Sequence, residues 1–151
     1  MNTADIAARR LARFGAVQAL YQMEMSGATT ADVIADFSGG KLPRMSEASY
    51  ADEEGDLALF RTIVEKAVER QATLDRAIAR HLSKGWRLER IDAVARAILR
   101  AGAAELEQRR DIPTAVVIDE YVEIAKSFFD GPEPGFINAA LDACATDFRA
   151  G

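Results

Sequence analysis

The spacing of apolar residues constrains the fold of this 151-residue chain more than any other feature. The long segments repeat apolar residues three and four positions apart, which is the period of one face of an α-helix. The segment after Asp56 shows the pattern most fully, with Leu57, Phe60, Ile63, Val64, Ala67, Val68, Leu74 and Ile78. The sequence therefore predicts an all-α fold, and its length is enough for one domain with a substantial core.

Turn-forming residues separate the predicted helices of the first half. The first helix covers residues 4–25, with Thr3 as its N-cap, and a short helix follows Thr30. Residues 38–55 are rich in Gly, Ser and acidic residues, which predicts an exposed loop. Asp56 then caps a long helix that reaches about residue 78.

The second half is predicted to hold three more helices. One bends near Asp92, and the next begins at Pro113, a residue favoured in the first helical turn. Residues 116–129 are rich in β-branched residues, but their acids and Lys126 fall at helical spacing, so we predict a helix. A break over residues 131–135 precedes the last helix, which carries Phe136, Ile137, Leu141 and Phe148.

Several classes of function are disfavoured by what the sequence lacks. It has neither the apolar start of a signal peptide nor a run of about 20 apolar residues, so we expect a cytoplasmic protein. It contains no phosphate-binding loop, dinucleotide fingerprint or Cys/His metal spacing. His81 and Cys144 are single residues of their type, expected near a helix end and in the core. We therefore expect no enzymatic activity, no metal and no cofactor.

Positive charge is concentrated in two regions, although the net charge is -5. Residues 1–23 hold three arginines and one acid, and residues 76–110 hold nine bases and four acids. The arginines Arg9, Arg10 and Arg13 span an arc of about 100° near the start of the first helix, where the helix dipole disfavours cations. This placement indicates an anionic partner, and the neighbouring Gln18 and Tyr21 suit hydrogen bonding and base stacking.

Three motifs in order resemble the NusB family. They are RRLARFGAVQALYQ at the start, LDRAIARHLSKGWRLERIDAVARAILRAGAAEL in the middle, and RRDIPTAVVIDEYVEIAKSFF followed by FINAALD near the end. The resemblance implies two packed helical bundles forming one RNA-binding domain over residues 1–151. It also implies binding to boxA RNA of ribosomal RNA leaders, as a heterodimer with the ribosomal protein NusE. That pair would join NusA, NusG and RNA polymerase in an antitermination complex.

The resemblance also assigns site residues. The RNA site would comprise Arg9, Arg10, Arg13, Gln18, Tyr21, Lys126, Phe136 and Asn138. The partner surface would lie on the middle helices and include Asp92, Ala95, Arg96 and Leu99. Charge alone does not assign the middle segment, because Trp86 with the nearby arginines suits either a protein or a nucleic acid.

The chain departs from the family pattern at several positions. Gly135 stands where many members have a lysine, and Ala95 stands where an acid is common. Asp119 precedes Glu120 where an asparagine is usual, and Ala139 replaces a glycine.

Three alternatives remain open at this point. One is a protein adaptor with little RNA binding of its own, another is a module of an RNA methyltransferase, and the third is a helical scaffold unrelated to RNA. The methyltransferase is the least supported, since the chain holds no cofactor motif.

Overall fold

The computed structural model describes residues 2–39, 56–82 and 86–149. These residues contain seven α-helices and no strand, which confirms the all-α expectation. The helices are α1 (Thr3–Ser26), α2 (Thr30–Ser38), α3 (Leu57–Glu69), α4 (Gln71–Arg80), α5 (Ala93–Gln108), α6 (Thr114–Phe128) and α7 (Glu133–Phe148), with a 3-10 turn at Leu88–Arg90. The predicted loop over residues 38–55 lies, apart from Ser38 and Gly39, outside the described residues.

Side-chain caps fix the starts of the early helices. Asn2, rather than Thr3, caps α1, because Asp5 three positions later completes a capping box with it. Thr29 and Asp32 form the same arrangement at α2. Asp56 accepts from the backbone N–H of Leu59, which confirms it as the cap of α3.

The long helix predicted after Asp56 is two helices. Arg70 takes a non-helical conformation between α3 and α4 (φ -106°, ψ 18°). Its Nε and Nη2 donate to the two carboxylate oxygens of Glu107 on α5, at 2.5 and 2.9 Å. The apolar stripe continues across the break because both helices pack on α5. Spacing alone therefore hides this boundary.

The boundaries of the later helices also shift from prediction. Asp92 marks the start of α5 rather than a bend within it, since its carboxylate accepts from Val94 N–H at 2.7 Å. The break predicted over residues 131–135 is shorter, because α7 begins at Glu133 and takes Pro134 into its first turn.

Helix α5 lies at the centre of the molecule. It packs against α1, α3, α4, α6 and α7, and the α6–α7 pair closes one side. The close approach of α5 and α7 requires Gly102, where an added Cβ would lie 2.9 Å from Cδ1 of Leu141 on α7.

None of the described helices is both long enough and apolar enough to cross a membrane.

Candidate nucleic-acid interface

Between Leu11 and Leu20 only Gln18 of α1 is not buried, while Arg10 and Tyr21 on either side of this stretch are exposed. Arg10, Phe14, Gln18 and Tyr21 lie within an arc of about 80°, at 100° per residue. Phe14 is buried beneath Phe128 of α6, with ring centroids 6.0 Å apart and planes inclined by 11°. Phe128 itself is 43 % exposed and Tyr21 39 %. We call the surface formed by Arg10, Gln18, Tyr21 and Phe128 the α1 face.

Arg10 supplies the cation of the α1 face. Its side chain is 54 % exposed, and its Nε lies 2.9 and 3.2 Å from the two carboxylate oxygens of Glu120 on α6. The pair ties α1 to α6 at the surface, where an ion pair contributes little to stability. A phosphate group reaching Arg10 would compete with this carboxylate.

Gln18 carries an unsatisfied group on the same face. Its Oε1 is buried and accepts no hydrogen bond from the described residues. A buried amide oxygen without a donor costs free energy. A ligand donor can satisfy this oxygen only if the half-buried side chain turns outward.

Arg9 lies near the turn between α5 and α6. It is half-buried and makes no hydrogen bond or ion pair with the described part of the chain. The hydrogen bonds from Arg109 lower the pKa of Asp111 to about 2, and the charges of Arg109 and Arg9 add to that shift. Arg9 therefore places a cation beside a turn in which Arg109 and Asp111 are paired with each other.

Arg13 does not join the accessible surface, which corrects the sequence prediction. It is 2 % exposed, and its Nε and Nη2 lie 2.9 and 2.7 Å from the two carboxylate oxygens of Glu105. The hydroxyl of Tyr121 donates to the same carboxylate at 2.8 Å. The helical wheel placed Arg13 about 60° from Arg10. That rotation turns it inward against α5 and α6.

The charges within this buried group favour the ionised pair. Burial works to lower the pKa of Arg13, but the hydrogen bonds and charge of Glu105 outweigh it and raise the pKa. Burial and the Glu105 carboxylate raise the pKa of Tyr121 well above its usual range, so the phenol stays a donor. Arg13 therefore serves the core, and an RNA phosphate cannot reach it.

The remaining predicted RNA residues are spread over α6 and α7. Lys126 is exposed and lies 3.2 Å from Glu123 on its own helix. Phe136 is half-buried and stacks on Trp86, with centroids 4.6 Å apart and planes inclined by 22°. Asn138 is exposed, and its side chain makes no hydrogen bond with the described residues. A Cβ added at Gly135, where the family often has lysine, would meet nothing within 4 Å.

The predicted partner residues also need correction. Ala95 and Leu99 are buried in the core, and Arg96 is 8 % exposed, because α5 is surrounded by other helices. Arg96 pairs with Glu24 of α1 and donates through Nη1 to the backbone oxygens of Leu88 and Ile91. Only Asp92 of the four is exposed, and its carboxylate is engaged in capping α5.

A cleft lies beside these buried residues. It has a volume of about 350 Å³ and is lined by Glu24, Asp75, Arg76, Leu88, Glu89 and Arg100, among others. Arg100 is bound to Asp75 through two contacts of 2.9 Å, so much of the lining charge is internally paired. We call this concavity the α4–α5 cleft, and it is the accessible surface nearest to the predicted partner site.

Sequence reasoning missed two residues of this site, buried Glu105 and exposed Phe128. Glu105 is an acid flanked by apolar residues in the stretch AGAAEL, a sign that a buried cation faces it. Phe128 lies in a Phe-Phe pair at a helix end, which gave no signal of exposure.

The catalytic alternatives gain no support from the described residues. Burial raises the pKa of the Cys144 thiol to about 11, which confirms an inert core cysteine. His81 lies at the end of α4, with its Nε2 2.7 Å from Asp147. In the same part of the chain, no group of three or more His, Cys, Asp or Glu side chains is placed to hold a metal.

Comparisons of the sequence with known proteins agree with the resemblance. A family model described as the NusB family matches residues 10–146. The transcription antitermination protein NusB of Caulobacter vibrioides is 54 % identical over 149 residues, which cover 99 % of both chains. The same protein of Maricaulis maris is 50 % identical, over 93 % of this chain and 88 % of that one.

Solved structures share the fold. NusB of T. maritima superposes with a TM-score of 0.72 at 28 % identity, covering 92 % of this chain and 91 % of that one. A complex of antitermination factors NusB and NusE with double-stranded RNA contains a chain with a TM-score of 0.74 at 22 % identity, covering 97 % of this chain and all of that one.

Proposed function

The chain belongs to the NusB family, and on this premise we propose that it is an RNA-binding transcription antitermination factor rather than an enzyme. Its RNA would be single-stranded boxA RNA of ribosomal RNA leaders, bound by one domain spanning residues 1–151. The α1 face carries this proposal, because it combines an exposed guanidinium, an unsatisfied amide and two exposed rings.

Each group of the α1 face matches a chemical feature of single-stranded RNA. The guanidinium of Arg10 suits a phosphate, and Arg9 adds a second cation at the same end of the helix. The rings of Tyr21 and Phe128 offer stacking surface to unpaired bases. Lys126 on α6 and Asn138 on α7 add a cation and an amide. Arg13 is buried and only stabilises the packing of the helices beneath this surface.

The protein partner is proposed to bind on the other side of the C-terminal part of α1. A homologous NusB has been solved with NusE and RNA. The α4–α5 cleft, which Arg96 itself lines, is the surface that we assign to NusE in place of the buried Ala95 and Leu99. The further assembly with NusA, NusG and RNA polymerase, and a cytoplasmic location, are part of the same proposal.

The test is the affinity and salt dependence of RNA binding by an Arg10→Ala variant. Fluorescence anisotropy of a labelled boxA oligonucleotide would give Kd over a range of salt concentrations. Losing one phosphate contact should weaken binding and lower the slope of log K against log salt by about 0.7.

Arg61→Ala is the matched control. Arg61 is 56 % exposed and pairs with Glu65 at 3.1 Å, so it resembles Arg10 in exposure and pairing but lies on α3. We expect its Kd and slope to equal those of the wild type. If both substitutions changed Kd and slope equally, Arg10 would contribute only to the overall charge of the protein and not a specific contact. If the wild-type protein bound no boxA RNA, the proposal would be refuted.

A further inference from the structure

An exposed aromatic stack lies outside the α1 face. Trp86 is 40 % exposed although its ring stacks on Phe136, the half-buried first-turn residue of α7. A tryptophan placed only for packing would bury more of its large apolar surface. Phe136 packs against the core and holds the indole in place, so the stack is a fixed feature rather than a loose side chain.

The stack lies at the end of the molecule where α1 ends. Arg96 connects the two, since it binds Glu24 near the end of α1 and the backbone oxygens of Leu88 and Ile91. Trp86 is two residues before Leu88, and Tyr21 is less than one helical turn before Glu24. A strand that follows the α1 face from Arg10 toward Tyr21 is therefore directed to this end.

The surroundings of the stack suit a nucleic acid. Arg87 and Arg90 are exposed, their side chains make no hydrogen bond or ion pair with the described residues, and Glu89 is the one acid between them. The space at Gly135, next to Phe136 in the chain, is open. An exposed aromatic ring with cations beside it is the usual design of a stacking site for single strands.

We propose that Trp86, supported by Phe136, stacks on one unpaired base of the bound RNA. The indole has one face on Phe136, and its other face receives the base. The RNA-binding surface then continues from the α1 face past the end of the helix to the turn before α5. This inference rests on the proposed function, since it adds a contact to the same RNA.

Trp86 is the only tryptophan of the chain, so its own fluorescence reports on the site. Titrating wild-type protein with unlabelled boxA oligonucleotide should quench that emission along the same curve that anisotropy gives for binding. Oligonucleotides with one base removed at a time should then identify a single position whose loss both weakens binding and restores the emission.

Two variants test the role of the ring. Trp86→Leu should raise Kd by about 5-fold or more, as loss of one base stack does. Trp86→Phe keeps an aromatic ring on Phe136 and should remain near the wild type. The salt slope should stay unchanged in both, because no phosphate contact is lost, whereas Arg10→Ala lowers it.

The outcomes separate this inference from the proposed function. The stacking site would be overturned if Trp86→Leu bound RNA with the wild-type Kd and the wild-type fluorescence did not change on binding. Weaker RNA binding by Arg10→Ala would in that case still support the proposed function. Trp86→Leu that loses NusE binding but keeps RNA binding would instead assign the ring to a protein interface. Wild-type protein that binds no RNA would overturn both. If Trp86→Leu fails to fold, the base-removal series on wild-type protein still decides.

Discussion

The buried Arg13–Glu105 pair predicts that Arg13→Ala damages stability before it damages RNA binding. The substitution leaves a carboxylate inside the core, where the Tyr121 hydroxyl is its one remaining side-chain donor among the described residues. Removing one partner of a buried pair costs about 3–5 kcal/mol. At about 2–4 °C per kcal/mol for a chain of this size, the thermal midpoint should fall by about 6–20 °C.

Circular dichroism melts would measure this loss, and removing the whole group provides the control. In Arg13→Met with Glu105→Leu and Tyr121→Phe, no polar group is left buried without a partner. Apolar replacement of a buried ion pair is often neutral or stabilising, so the triple variant should recover most of the midpoint.

RNA affinity separates the two possible roles of Arg13. Measured well below its melting midpoint, Arg13→Ala should keep the wild-type salt slope, since Arg13 contacts no phosphate in this fold. Wild-type stability together with a slope lowered by about 0.7 would refute the reasoning, because Arg13 would then be an RNA contact.

Three further predictions follow from single contacts. Glu120→Gln removes the carboxylate that competes for Arg10, so anisotropy should show several-fold tighter RNA binding, and weaker binding would contradict this. Gly135→Lys places a cation in open space, and it should tighten RNA binding and steepen its salt dependence by about 0.7, which an unchanged slope would exclude. The pKa of Asp111 is lowered to about 2 by Arg109. Its stabilising effect is thus present above the unfolded pKa of about 3.9 and lost as the pH falls toward 2. Asp111→Asn should therefore lower the free energy of unfolding in urea at pH 6 and make little difference to it near pH 2. An equal loss of stability at the two pH values would contradict a stabilising Arg109–Asp111 pair.

The helical period predicted the elements but not their surroundings. The spacing of apolar residues located α1, α2, α6 and α7 closely. Each of these helices buries one stripe of apolar residues, and this stripe is visible in the sequence without knowing which helix packs on it. The same spacing could not show the break at Arg70, since α3 and α4 continue one stripe onto a shared neighbour. At the break, Arg70 pairs with Glu107, a residue 37 positions away that the local pattern does not reveal.

The candidate site shows the same limit. The arc holding Arg9, Arg10 and Arg13 was read correctly, but exposure depends on which helices pack there, and α5 and α6 cover Arg13. Ala95 and Leu99 were misplaced for the same reason, because α5 has neighbours on most of its circumference. Arg10 and Tyr21 lie nearer the ends of α1 and stay exposed because fewer neighbours reach them, while their role in RNA binding stays a prediction.

The most direct test of the central claim is an NMR titration of the labelled wild-type protein with boxA oligonucleotide. The amide shifts should change along the exposed side of α1, from Arg9 to Tyr21, and at the end of α6 and the start of α7. The amides of α3 and those lining the α4–α5 cleft at Asp75 and Arg76 should stay in place until NusE is added. Changes concentrated on α3 or in that cleft with RNA alone would contradict the assignment of the α1 face to RNA.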